Sequence, residues 1–441
     1  MDERHEAFSE CKTLVEAGHY EAAVSPAVRV VELSEQMKDR PKQELHAALM
    51  NLANTQRLAG DYVAAEDTYL RVIAAIESGG RAVGPRLARA NAGLAAVYHE
   101  GKRHDLAVER FETAVALSRR TQGLFTETQL PMLEKYADSL TEMGRPEDAL
   151  LAQKYRVRAA NHLYGKGDIR TVPVLESFGR WYARVGAYEA SRRTLNEAIE
   201  IVEETQGDDA PELIGPLTAL AECHRLQLLD PTYRNELDAV ESPGAQASIF
   251  NDPSMPGMSH TNRQMTGEGE DALERAVKIV ESTPDVSPAQ VADVHTQLGD
   301  WYQLRRRPER AAEEYERAWQ AASQLGNLGP SLIDALFGQP VLLRYVPPDN
   351  WNRYADRPRE QVEIVSIEMR LAVDEQGEVR KVEVISDAGH ERLAERAARS
   401  AERARFRPRL SDGKPVKTVS VPLSQAFTLL VETEEEEQET D

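Results

Sequence analysis

Ten histidines and two cysteines are where metal or nucleophilic chemistry would have to start. They form no Cys/His ligand set of the kind that holds zinc. His99-Glu100 is followed by His104, one place beyond the i, i+4 spacing that puts two imidazoles on one helix face. Met255, Met258, His260 and Met265 are soft donors of a type that suits copper(I), although methionines in such a stretch equally serve as adaptable packing. Cys11 and Cys223 stand at or near small packing positions, so buried free thiols are expected. No phosphate loop, nucleophile elbow or dinucleotide fingerprint occurs. The expectation is a chain that is not an enzyme and takes no cofactor. The alternative is a metallochaperone or enzyme that uses the Met/His residues 255–265.

The balance of charge narrows the partners. Lys and Arg number 53 and Asp and Glu 74, a formal net charge of −21. Such a surface repels a phosphate backbone, so nucleic acid is not an expected partner. No apolar run approaches the roughly 18 residues that a membrane-spanning helix needs. Residues 1–30 lack a basic region followed by an apolar one, so no export signal is read there, and a mature form with its leader removed fits equally. Residues 432–441 hold seven acids and no base and are expected to be a disordered acidic tail.

The elements that position any site come from a repeat. Ala23, Ala65, Ala107, Ala149 and Ser191 recur at steps of 42, and Cys11, Ala53, Ala95, Ala137, Gly179 and Ala221 keep the same step. Gly18, Gly60, Gly144 and Gly186 lie five places before the first series, and in the third repeat Gly101 comes one place early. Leu49, Leu52, Ala53 and Gln56 are spaced as one helix face, Gly60-Asp61-Tyr62 breaks it, and Ala65, Tyr69 and Val72 resume it. Each unit is therefore helix, tight turn, helix, with small residues where the two helices cross. A lone hairpin cannot bury its apolar stripe, so the units must stack. Gly299 and Ala311 continue the two series only after 36 extra residues. That places a Pro- and Gly-rich insertion at 230–268, read as a loop, with helix resuming at Asp271.

The unit resembles the tetratricopeptide repeat, through Gly-Asp-Tyr-Val-Ala-Ala at 60–65 and Gly-Ala-Tyr-Glu-Ala-Ser at 186–191. Its long period is similar to that of kinesin light chain. The resemblance implies a right-handed α-solenoid over 1–325 of about seven hairpins. A Pro/Gly-containing linker is read at 326–361 from Val346-Pro347-Pro348 and its neighbours. From Val365 the apolar residues alternate through Ile367, Met369, Leu371 and Val373, then come a Gly377 turn, Val382 and Val384, a short helix at Leu393, Ala397 and Ala401, and alternation again at Val419, Val421 and Leu423. The fold class is thus mainly α, with a small α+β domain of order β-β-α-β over 362–431. Arg405-Phe406-Arg407-Pro408-Arg409 and Asp412-Gly413-Lys414-Pro415-Val416 resemble the carboxy-terminal domain of TonB. That likeness implies a periplasmic module that pairs an edge strand with a peptide of an outer-membrane transporter. A cytoplasmic location is the alternative, and a dimer through the same edge is the other use of it.

Binding residues follow from geometry, since stacked first helices line one face. The positions one and four places after the second small series supply Asn54, Arg57, His99, Asp138, Arg180, Glu222 and Arg225 as candidates. In the terminal domain the candidates are Arg396, Arg399 and Arg403 of an arginine stripe and Val419, Val421 and Leu423 of the final strand, where Pro422 removes a donor and suits an edge. The function these imply is a scaffold or adaptor that binds protein or peptide partners, related to transport at the outer membrane.

Overall fold

The computed structural model of the protein describes residues 3–36, 42–78, 84–230, 259–355 and 357–431. The chain divides into two compact units, residues 1–178 and 179–441. The first holds α1 (Glu3–Glu16), α2 (Tyr20–Glu35), α3 (Lys42–Leu58), α4 (Tyr62–Ser78), α5 (Pro85–Glu100), α6 (His104–Gln122), α7 (Gln129–Glu142), α8 (Pro146–Tyr164) and the start of α9 (Val172–Arg184). They are antiparallel hairpins stacked in chain order. Gly18, Gly60 and Gly144 turn the chain in the left-handed conformation that glycine adopts without a Cβ clash. In the third hairpin that place is taken by Lys102 at φ 61°, while Gly101 keeps φ −77°. Ala23, Ala65, Ala107 and Ala149 are fully buried, as are Ala53, Ala95 and Ala137. The two small series therefore mark the packed crossings, and the apolar stripe between them forms a core that runs from Ala7 to Leu133, with a second cluster at Leu130, Ala159, Ala160 and Val174.

The second unit continues with α10 (Tyr188–Gln206), α11 (Ile214–Leu229), α12 (Ser259–Ser282), α13 (Pro288–Leu304), α14 (Pro308–Ser323) and α15 (Gly329–Phe337). Here the small residues meet directly, with the Ser191 hydroxyl donating to the Gly179 carbonyl at 2.8 Å. A Cβ on Gly299 would lie 2.4 Å from the Tyr315 ring, so a side chain there has no room.

Two expectations are corrected. The loop reading of 230–268 fails at its carboxy-terminal end, because α12 begins at Ser259. Gly267 and Gly269 look like breakers in the sequence, but a Cβ on Gly269 would sit 2.3 Å from the Trp301 ring, so this glycine lets two helices approach. The rest of the insertion, 231–258, lies outside the described residues, as does the acidic tail from 432 on. The linker reading of 326–361 fails as well. It contains α15, whose Phe337 is fully buried, and β1 (Val341–Arg344), a strand of the terminal fold.

That fold is completed by β2 (Val362–Val373), β3 (Val379–Ser386), α16 (Glu391–Ala401), β4 (Arg405–Arg407), β5 (Arg409–Ser411), β6 (Lys414–Val416) and β7 (Thr418–Leu430). The main sheet is antiparallel in the order β3-β2-β7, and β1 pairs with β4. Val365, Ile367, Met369, Leu371 and Val373 of β2 are all buried, as their alternation requires. Ala394, Ala397 and Ala401 of α16 cover that face. The Asp374 carboxylate closes the β2–β3 turn by accepting from the Gln376 and Glu378 amides.

Candidate functional site

The first helices α3, α5 and α7 enclose a cavity of about 470 Å³. His46, Asn54, Arg57, Arg86, Arg89 and Lys135 border it, and among the described residues no carboxylate does. Behind them stands Glu100. It accepts two hydrogen bonds from Arg57 Nη1, at 2.6 and 2.8 Å, and one from Lys135 Nζ at 2.6 Å. Burial opposes the Glu100 charge, but the bonds from Arg57 and Lys135 outweigh it and hold the carboxyl below its ordinary value. Arg57 Nη2 also donates to Asn54 Oδ1 at 3.0 Å. The floor is Tyr69, pressed against Gly93 and pushed by burial to about 12. Arg89 has no ion pair or hydrogen bond among the described residues. An acidic chain thus carries one cavity with a cationic rim.

Of the sequence candidates, Asn54 and Arg57 come together here. His99 does not line the cavity. Its Nδ1 meets the Ser139 hydroxyl at 2.9 Å, and burial, with Lys135 nearby, lowers its pKa. Asp138 is half-buried next to that contact. Glu100 and Lys135 were missed. The signal for Glu100 was its spacing, 43 residues from Arg57, about one repeat.

Arg180, Glu222 and Arg225 form the other candidate group. Arg180 pairs with Glu222 and donates to Thr218 Oγ1 at 3.2 Å. With Arg225, Gln297 and Asp300 they border a cavity of about 330 Å³. Val341, Leu342 and Leu343 of β1 and Arg407 make another wall of it, with Ala221, Leu273 and Trp301 also lining it. Arg407 forks onto Asp300, with Nε to Oδ1 at 2.8 Å and Nη2 to Oδ2 at 2.7 Å. Its Nη1 donates to the Leu336 carbonyl at 2.8 Å. Burial opposes the guanidinium charge, yet Asp300 prevails and Arg407 is held above its ordinary value. No local pattern announces this pair, whose members are 107 residues apart.

In the terminal domain the arginine stripe divides. Arg396 reaches the Asp349 carbonyl and stands over the Phe427 ring at 5.6 Å. Arg399 faces Glu395 at 3.9 Å, and Arg403 is exposed. The final-strand candidates need correction. Val421 is buried in the sheet core and Leu423 is half-buried against it, so Val421 is closed to a partner and Leu423 only partly open. Val419 is 67% exposed. The reason is a bulge at Ser420, φ 70°, which breaks the alternation between them. β7 is an edge of the main sheet. The Thr428 amide points outward to the Trp351 carbonyl at 2.8 Å. The register continues without a shift from Thr428 to Pro422, so Ala426, Ser424 and Pro422 also present their main chain outward. Pro422 therefore lacks its donor on the open side.

Cys11 and Cys223 are buried free thiols, and burial raises the pKa of each. His260 and Met265 fall within α12, whereas Met255 and Met258 lie outside the described residues. Among the described residues no group of three or more His, Cys, Asp or Glu is placed to hold a metal ion. No helix among them is long and apolar enough to cross a membrane.

Comparison with known proteins agrees with these two kinds of fold. Residues 44–120 match the family model "Tetratricopeptide repeat", and residues 352–429 match "Gram-negative bacterial TonB protein C-terminal". No curated protein matches the chain. Among solved structures, a putative kinesin light chain of Podosopora anserina with nearly identical TPR-like repeats is 18% identical, at TM-score 0.42, over 47% of this chain and 99% of its own. BtubC (BKLC) of P. vanneervenii is 15% identical, at TM-score 0.37, over 70% of this chain and 92% of its own. The apo quorum sensor NprR of B. thuringiensis is 11% identical, at TM-score 0.37, over 72% of this chain and 87% of its own.

Proposed function

We propose that the protein is a non-catalytic scaffold with two surfaces for partners. The first-helix face of α3, α5 and α7 takes an extended protein or peptide segment. The outer edge of β7 pairs with a partner strand, or with the same edge of a second copy. The compartment we assign is the periplasm of a Gram-negative cell, and the process is transport at the outer membrane, by likeness of residues 352–429 to the TonB carboxy-terminal domain.

The observation that carries the reading is the cavity rim of His46, Arg57, Arg86, Arg89 and Lys135. Cations held at fixed spacing by Asn54 and Glu100 are preorganised to meet a chain with polar or acidic groups. The test is an array of labelled extended peptides, acidic and basic, titrated against the full chain. Capture by the parent, weakened about tenfold in Arg57→Ala, supports the face. Affinities that ignore Arg57 and Lys135 alike would remove it. For β7, peptide-induced shifts in the amides of Ser424 and Ala426 are expected, with sedimentation run alongside to detect a second copy.

A further inference from the structure

Arg407 belongs to the Arg-Phe-Arg run of the terminal domain, yet its guanidinium is engaged inside the chain. Its side chain is 11% exposed and that of Asp300 13%. Among the described residues its hydrogen bonds run to the last helices of the repeats: two to Asp300 of α13 and one to the Leu336 carbonyl of α15. The Phe337 ring lies 5.8 Å from its Cζ. Tyr315 of α14 donates to Asp300 Oδ1 at 3.0 Å, and its ring is fixed against Gly299 and Phe337. A carboxylate aimed by a buried phenol, a carbonyl set at its side and an aromatic ring close by suit a planar cation with several divergent N–H groups. An ammonium cannot make this set of bonds from one fixed position.

Neighbouring contacts follow the same direction. The Gln303 amide of α13 donates to the Gln376 carbonyl. A Cβ on Gly377 would collide with the Phe406 carbonyl and with Gln303, so the β2–β3 turn closes tightly on the repeats. Gly413 of the β5–β6 turn lies against Trp319 of α14.

We propose that α13, α14 and α15 form a guanidinium receptor, made of Asp300, Tyr315, the Leu336 carbonyl and Phe337, which the chain fills in cis with Arg407. This docking holds the terminal β-domain on the repeats and lays β1 along their first-helix face. The inference does not depend on the scaffold reading, since it concerns a ligand supplied by the chain itself.

The test is amide hydrogen exchange on the full chain, read at 341–344 and 405–407, with the amides of 42–142 as an internal control. Arg407→Ala should speed exchange there by about tenfold or more, because it leaves the largely desolvated Asp300 carboxylate without its cation. Added ethylguanidinium should restore protection to that variant, and ethylammonium should not. Rescue should vanish when Asp300→Asn is added. Arg407→Lys keeps the charge and most of the volume, and it too should exchange faster, which covers the case in which Arg407→Ala does not fold. Parent-like exchange in Arg407→Lys, equal rescue by both cations, or rescue that survives Asp300→Asn would each overturn the proposal.

Discussion

The first-helix face of α3, α5 and α7 and that of α9, α11 and α13 share a plan and differ in outcome. On each, a cation of one first helix is tied to a carboxylate of the next, Arg57 to Glu100 in one case and Arg180 to Glu222 in the other. On the first the cavity is left with a rim of cations. On the second the chain returns, and β1 with Arg407 supplies the missing wall. The same kind of surface is left uncovered in one place and is walled by a returning strand in the other. The difference is a later segment that carries a group to meet a half-buried carboxylate, here Arg407 on Asp300.

The sharpest way to break the comparison is to crowd the floor of each face. Gly93→Leu presses on Tyr69 and Gly299→Leu on Tyr315, and a Cβ at either lies 2.4 Å from the ring. Tyr315 is enclosed and bonded to Asp300, so Gly299→Leu should cost about 3 kcal/mol. Tyr69 borders a cavity that can accept its displacement, so Gly93→Leu should cost about 1 kcal/mol. Urea midpoints for the two variants check this, and equal costs would mean that the open cavity gives no relief.

A second handle is pH, through His224 in α11. Burial, with Arg192 repelling, lowers its pKa to about 4. Among the described residues both ring nitrogens lack a hydrogen bond, and Glu268 stands 3.6 Å away. The unfolded chain therefore binds the proton first. Stability contributed by the neutral ring is complete above the unfolded value near 6.5 and is lost as pH falls toward 4. The loss should reach at most about 3 kcal/mol, and His224→Leu should flatten the profile in that window. Thermal melts between those limits measure it.

The terminal strand gives a smaller contrast. Val421→Ser should destabilise by about 2 kcal/mol through lost burial, whereas Val419→Ser, on an exposed side chain, should stay within about 0.5 kcal/mol. Denaturant titration of the two decides whether the Ser420 bulge sets the register as described. The smallest effect is a gain. Lys102 and Arg306 hold the left-handed turn position that glycine occupies in other hairpins. Lys102→Gly and Arg306→Gly should each stabilise by about 0.5 kcal/mol, the relief of strain exceeding the added freedom of the unfolded chain. A fall in either midpoint would show that the lysine or arginine side chain makes an offsetting contact.

What the sequence disclosed and what it hid have separate physical causes. The 42-residue steps of Ala23 and Ala53 were legible because a helix crossing tolerates only a small side chain, and every copy must obey. The β2 alternation was legible because one face is buried from Val365 to Val373. Gly269 and Gly329 misled, since glycine for close approach and glycine for chain reversal have the same letter. The first is inside α12 and the second opens α15, and neighbouring residues alone do not tell them apart. Of the open face, Asn54 and Arg57 were found by repeat register. Glu100 and Lys135 were not, because they occupy other positions in their own repeats. Arg407 and Asp300 depend on a tertiary return that no local pattern encodes.

One regularity within each unit reaches further than stability. Arg57 to Glu100, Arg86 to Gln43, Arg180 to Glu222 and Tyr188 to Asp230 are polar bonds spanning 42 or 43 residues. Each joins a unit of the array to the next one and to no other. A duplication in whole periods that copies both ends of such a bond keeps them at their old separation. Copies inserted in phase would arrive with partners already in place, while a gain or loss of a few codons would strand a charge on either side. The array is thus free to change length only in whole steps.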